Sequence, residues 1–365
     1  MGASDIGRGP IAPRSRTGGR GGLVDAESRH PAIEADRCVH ALAPMASCRA
    51  CADACPRQAW LLDEDGLGLD TEACDGCGLC APACPQSAIL FAAAPALGSE
   101  RGGRVAFAAC ERAAPAGEAG VMPCVHALGA AALADLWLKG VRRLRYAHDD
   151  CLTCPRSTVR TLPVAAAELR RLTDDRGLEP LVVTRVGEVA DWRAEREDAA
   201  SLSRRALFDA LLRPARAAAG VGANDPGDPS AAGADARLPH AASATIAHYA
   251  PAIDASRCEA CDACIGICPT GVLSLVREPA EAARYEVDAT RCTGCRLCVD
   301  VCVAEAIRIE NWAAARPEPV PLGLSQCRAC GVVHHATIAR KAEVDLCRIC
   351  AATGHHRKLF QVIEQ

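Results

Sequence analysis

The chain is poor in aromatic residues, with four Phe, four Trp and three Tyr in 365 positions, and it has only three Met. A core built on large aromatic side chains is therefore excluded, and burial has to come mainly from Ala, Val, Leu and Ile. Long apolar runs are missing too. The longest weakly interrupted one, Val125 to Leu138, contains His126 and Asp135 and falls short of the ~20 residues that a bilayer-spanning helix needs. Residues 1–32 are rich in Gly, Pro and Arg (Arg8, Arg14, Arg16, Arg20) with no apolar stretch behind the arginines, so they read as a disordered basic arm and not as a signal helix. Charge of one sign is not in excess: 41 Lys and Arg against 45 Asp and Glu leave a net −4, which argues against general nucleic-acid binding. A G-x-G-x-x-G turn, a P-loop and a nucleophile elbow are all absent, so no flavin, nucleotide or hydrolytic site and no catalytic residue is expected. The expected location is the cytoplasm, without a membrane span, where thiols stay reduced and open to metals.

What the chain does have is cysteine, 24 in all, and they fall into runs. Cys74, Cys77, Cys80 and Cys84 before Pro85 read C-x2-C-x2-C-x3-C-P, as do Cys258, Cys261, Cys264 and Cys268 before Pro269. Cys292, Cys295, Cys298 and Cys302 keep the spacing with Val303 in place of proline. The remaining run puts nine residues between Cys38 and Cys48, then continues Cys51, Cys55, Pro56. Its flanks identify it as a fourth copy. An aliphatic residue and then an acid precede the first cysteine at one fixed distance: Ile33-Glu34, Leu69-Asp70, Ile253-Asp254 and Val287-Asp288. Short apolar segments follow each run, as in Trp60-Leu61-Leu62 and Ile89-Leu90-Phe91, so the repeating unit is strand, cysteine loop, helical turn, strand.

These runs resemble the bacterial two-cluster ferredoxins, over 33–95 and again over 251–311. The resemblance implies [4Fe-4S] clusters with crossed ligation, the fourth cysteine of each run serving the other cluster. Cluster one would take Cys38, Cys48, Cys51 and Cys84, and cluster two Cys74, Cys77, Cys80 and Cys55. Cluster three would take Cys258, Cys261, Cys264 and Cys302, and cluster four Cys292, Cys295, Cys298 and Cys268. Structural zinc in these quartets is disfavoured, since zinc sites pair two C-x2-C knuckles across a long gap. The extra residues between Cys38 and Cys48 are expected to alter the exposure and potential of cluster one.

Residues 104–186 alternate strand and helix: Val105–Ala108, Val121-Met122, a helix from Ala130 to Lys139, Val141–Tyr146, a helix from Val164 to Leu172 and Leu181–Thr184. That order implies a small parallel α/β domain. Cys110, Cys124, Cys151 and Cys154 fall just past strand carboxyl ends, the edge where open α/β sheets bind ligands. The strand–cysteine order resembles the delta subunit of methyl-viologen-reducing hydrogenase, which implies a further iron–sulfur cluster; zinc or unliganded thiols are the alternatives. His126 and His148 are available as ligands but read as solvated loop residues. Residues 187–250 read as an amphipathic helix from Ser203 to Leu212 and a flexible linker. At 320–365, Cys327, Cys330, Cys347 and Cys350 form C-x2-C-x16-C-x2-C, which resembles a zinc ribbon with four thiolates on one zinc. His334, His335, His355 and His356 beside it read as surface residues.

The sequence thus predicts an α+β multidomain chain: two ferredoxin-like 2[4Fe-4S] modules, a central parallel α/β domain and a zinc ribbon. The expected role is relay of single electrons between donor and acceptor oxidoreductases. The rivals are an accessory factor that matures a metalloenzyme and a reductase-complex subunit with chemistry at the central cysteines.

Overall fold

A computed structural model describes residues 29–63, 66–92, 94–100, 102–157, 161–199, 233–239, 244–277, 283–340 and 345–354. Most of the basic arm, the expected helix from Ser203 to Leu212, and His355 and His356 lie outside them.

In each ferredoxin-like module the strand before one run pairs with the strand after the other. Ala32–Ile33 pairs antiparallel with Ile89–Leu90, and Trp60–Asp63 with Gly66–Leu69. The second module repeats the pattern over longer strands, Ile246–Ile253 with Ile307–Ala314 and Leu273–Val276 with Arg284–Val287. This reciprocal pairing brings the fourth cysteine of one run over the loop of the other. Short helices carry the third cysteine of each run: Ala50–Asp53, Cys80–Ala83, Ala263–Ile267 and Leu297–Asp300.

The central domain is built on Gly103–Cys110, a strand of small and apolar residues buried from Val105 onward, as a strand covered on both faces requires. Its side chains alternate. Ala106, Ala108 and Cys110 face the helices Ala130–Leu138 and Leu162–Asp175, and Val105, Phe107 and Ala109 face a helix at 189–199 through Trp192. The Leu162–Asp175 helix buries Leu162, Ala165, Leu169 and Leu172, spaced by three and four residues so that they form one stripe. Gly140, at φ +82°, lets the preceding helix stop and turn into Val141–Ala147. The parallel partners are Val121–Met122, Val141–Ala147 and Val182–Arg185.

Four expectations change. The sheet carries an antiparallel edge strand, Ala96–Glu100, which returns through Gly102 and Gly103 at positive φ and had no clear apolar alternation to announce it. The domain also extends past 186, because the helix at 189–199 covers the second face of the sheet. Residues 233–239, read as linker, are docked: Asp235 is buried against Arg176 (2.7 Å) and accepts from the His248 N–H (2.8 Å). The C-terminal knuckles are likewise an extension of the second module. Val320–Gln326 pairs with Arg284–Val287 on one side and Val333–Thr337 on the other. No helix among the described residues is long and apolar enough to cross a membrane.

Candidate metal centres

The cysteines of each module gather in crossed sets. Burial raises Cys38, Cys48 and Cys51, and the thiol that acts most strongly on each of the three is Cys84, from the other run. Cys55 acts in turn on Cys74 and Cys80. In the second module Cys302 lies with Cys258 and Cys264, and Cys268 with Cys292, Cys295 and Cys298. Burial pushes Cys51, Cys80, Cys264 and Cys292 up to about 12. Four thiolates crowded in a dry pocket repel one another, so only a cationic core set among them makes the ionised form favourable.

The backbone is arranged for thiolates. Three residues past each fourth cysteine the chain turns left-handed, at Gln58, Ser87, Gly271 and Glu305, with φ between +47° and +61°. The N–H of the next residue then points back at the sulfur: Ala59 to Cys55 at 3.4 Å, Ala88 to Cys84 at 3.3 Å, Val272 to Cys268 at 3.4 Å and Ala306 to Cys302 at 3.2 Å. Only one of the four is glycine, so the surrounding structure holds side-chain-bearing residues in a conformation they rarely adopt. Convergent N–H groups of this kind favour anionic sulfur. Donor set and backbone therefore fit iron–sulfur clusters.

In the central domain Cys110, Cys124, Cys151 and Cys154 converge on one pocket at the carboxyl end of the sheet, where His126 and His148 also face. Cys110 and Cys124 are buried, the other two half-buried. Burial lifts Cys124 to about 12, with Cys110, Cys77 and Cys154 adding to it. His126 departs from the reading as a solvated residue: it is 7% exposed, and burial, followed by His148, pulls its pKa down to about 4. Its Nδ1 accepts the Leu162 N–H (3.0 Å), which leaves the proton on Nε2, 3.4 Å from the Cys151 sulfur. His148 Nδ1 donates to the Asp149 carbonyl (2.6 Å) and lies 3.3 Å from the same sulfur. The pocket abuts the first module, where Cys77, Leu79 and Cys124 form one buried cluster. Arg156 joins the two parts by bonding Asp75 (2.8 Å), Glu111 (2.7 Å) and the Pro123 carbonyl (2.8 Å).

The four knuckle cysteines stand closer together. The sulfurs of Cys327, Cys330, Cys347 and Cys350 lie within 4.8 Å of one another, and Cys330 to Cys347 measures 3.8 Å. A single tetrahedral ion with metal–sulfur bonds of about 2.3 Å separates its ligands by roughly that much, so this set fits one ion and is too tight for a cube. Backbone N–H groups of Cys347, Cys330 and Ala329 lower Cys327, while burial and the neighbouring sulfurs raise Cys350, so the set does not hold four negative charges without a cation among them. His335 is no surface residue. It reaches the Asp262 carboxylate (3.0 Å) and the Tyr285 hydroxyl (3.3 Å) beside Cys261, and Arg348 donates to the Cys261 carbonyl (2.9 Å). The sequence marked His126 and His335 only as residues near cysteines and carried no signal for Arg156 or Asp262, because each acts through a residue distant along the chain.

Comparison with known families agrees with the geometry in both modules. A family described as 4Fe-4S dicluster domain matches residues 257–306, and one described as 4Fe-4S binding domain matches 68–90. The matches do not extend to the run from Cys38 to Cys55, the central domain or the knuckles, and no curated protein matches the chain. The chain carries ferredoxin-like iron–sulfur modules that bind [4Fe-4S] clusters.

Proposed function

We propose that the protein relays single electrons between a donor and an acceptor oxidoreductase through four [4Fe-4S] clusters, two per module, ligated crosswise. The observation that carries this reading is the position of Cys84, Cys55, Cys302 and Cys268, each among the thiols of the opposite run. When bound, such clusters supply one-electron chemistry. The chain's own part is to hold sixteen thiols in four sets, aim backbone N–H groups at them and exclude water. The knuckles take one zinc, which ties the turn of Cys327 and Cys330 to the segment that carries Cys347 and Cys350. The central quartet takes a further iron–sulfur centre, with His126 donating to Cys151. The half-buried Cys151 and Cys154, beside two imidazoles and Arg112, favour a second reading in which the central pocket performs reductase chemistry.

Anaerobic purification followed by iron, sulfide and zinc analysis tests the assignment. About sixteen irons from the modules, extra iron from the central site and one zinc are expected. Near eight irons would mean that one module is degenerate. Cys84→Ser should damage the centre shared with Cys38, Cys48 and Cys51; if EPR shows that it removes the signal lost in Cys74→Ser, the crossed assignment is wrong.

A further inference from the structure

The nine residues between Cys38 and Cys48 replace a two-residue spacing found in the other runs. In the structure they form the face on which the two modules meet. Val39, Ala43 and Ala46 build one buried apolar cluster with Leu297 of the second module, and Cys48, Ile267 and Cys295 pack around it. Ser47 fastens the contact: its N–H and hydroxyl both donate to the Asp300 carboxylate, at 2.9 and 2.8 Å. His40 Nε2 donates to the Cys48 carbonyl (2.7 Å) and holds the loop against its own cysteine.

A second bridge comes from Gln86, two residues past Cys84 and 4% exposed. Its amide N donates to the Thr293 hydroxyl at 2.8 Å, across 207 positions of sequence. A primary amide has two N–H groups. Thr293 stands two residues before Cys295, so this bond sets the Gln86 amide, with its second N–H, beside that cysteine's loop. The Cys48 thiol in turn feels Cys295. A residue anchored beside one module's thiol set therefore reaches into the cysteine loop of the other.

We propose that this junction is where the two modules exchange electrons, and that Gln86 is a positioning residue that sets, from across the interface, the potential of the centre built on Cys295. The proposal rests on the four-cluster reading. One electron crosses from the reduced side to the oxidised side; no bond forms or breaks and no proton moves. It also orders the thiol sets in single file. Cys124 adjoins Cys77, Cys80 and Cys51 share one buried cluster, Cys48 adjoins Cys295, and Cys298 adjoins Cys264.

The test is an EPR-monitored redox titration of the full chain, anaerobic, with dithionite as reductant, for wild type, Gln86→Leu and Cys295→Ser. Reduction adds negative charge that an N–H donor stabilises, so removing the donor lowers the midpoint. In Gln86→Leu, iron content should match wild type while one centre, the one whose signal Cys295→Ser removes, becomes about tenfold harder to reduce, the weight of one hydrogen bond to a charged acceptor. Unchanged midpoints, or a shift in a centre that Cys295→Ser leaves intact, overturn the proposal while the four-cluster reading stands. If Gln86→Leu loses iron, Gln86→Met, which keeps the length of the side chain and lacks the N–H donors, is read by the same outcomes. A wild-type iron content well below sixteen brings down the four-cluster reading and this proposal with it.

Discussion

Arg156 shows how single side chains hold the metal-binding parts together. One guanidinium spans Asp75 in a cysteine loop of the first module and Glu111 just past Cys110 in the central domain. Burial works to raise Asp75, but hydrogen bonds and charge from Arg156 hold its carboxyl below the usual carboxylate range. Arg156→Met leaves two carboxylates facing each other without their cation and should cost about 2 kcal/mol, discounted from the fully buried case because both partners keep some solvent contact. A carboxyl with a lowered folded pKa contributes stability that is present above its unfolded pKa and lost as pH falls through the folded value. Denaturant unfolding of the iron-loaded chain should therefore show the full deficit at pH 7, shrinking only below about pH 4. A deficit independent of pH across that range would mean that Arg156 acts by packing alone.

At the scale of elements, the docked segment 233–239 makes a sharper case. Arg176 and Asp235 are both buried, their side chains 0% and 3% exposed, and the pair ties the end of the Leu162–Asp175 helix to the strand that opens the second module. Removing one member of such a pair strands the other charge in a dry environment. Arg176→Met should destabilise by about 3–5 kcal/mol, and adding Asp235→Asn should recover about half, because the neutral amide still accepts the His248 N–H. Thermal unfolding of both variants checks this; a double variant as unstable as the single one would assign the cost to lost packing. Around the same junction Arg171 lies over Trp312, Trp312 stacks on His248, and His248 on Tyr249, whose ring leaves no room for a side chain at Gly294. A composition rich in Gly, Pro, Ala and Asp marked this stretch as linker, since nothing local distinguishes a buried aspartate from a solvated one.

At the scale of the whole molecule, the knuckles sit against the second module. Strand Val320–Gln326 belongs to the sheet of the second module, while Arg348 and His335 reach the loop that carries Cys261. On the proposed zinc assignment, Cys347→Ser should release the ion and leave iron content unchanged. In hydrogen exchange, residues 345–354 should lose protection while the strand paired to Arg284–Val287 keeps it, because its ladder does not depend on the metal. Loss of iron along with the zinc would show that the knuckles support the neighbouring cluster loop.

The repeat of cysteines with matched flanks was legible without a structure, because ligand spacing within a loop is a local property: three sulfurs must converge within a few residues. The strand–helix alternation of the central domain was legible too, since apolar periodicity reports which face of an element is buried. The antiparallel edge strand Ala96–Glu100, the docking of 233–239 and the roles of Gln86, Arg156, His126 and His335 came only from the tertiary structure. Each depends on a partner tens to hundreds of residues away, and no local pattern encodes which distant surface a side chain will meet. The nine residues after Cys38 stand between the two. Their presence was plain in the spacing, but their work as the face between modules was decided by Leu297 and Asp300, far along the chain.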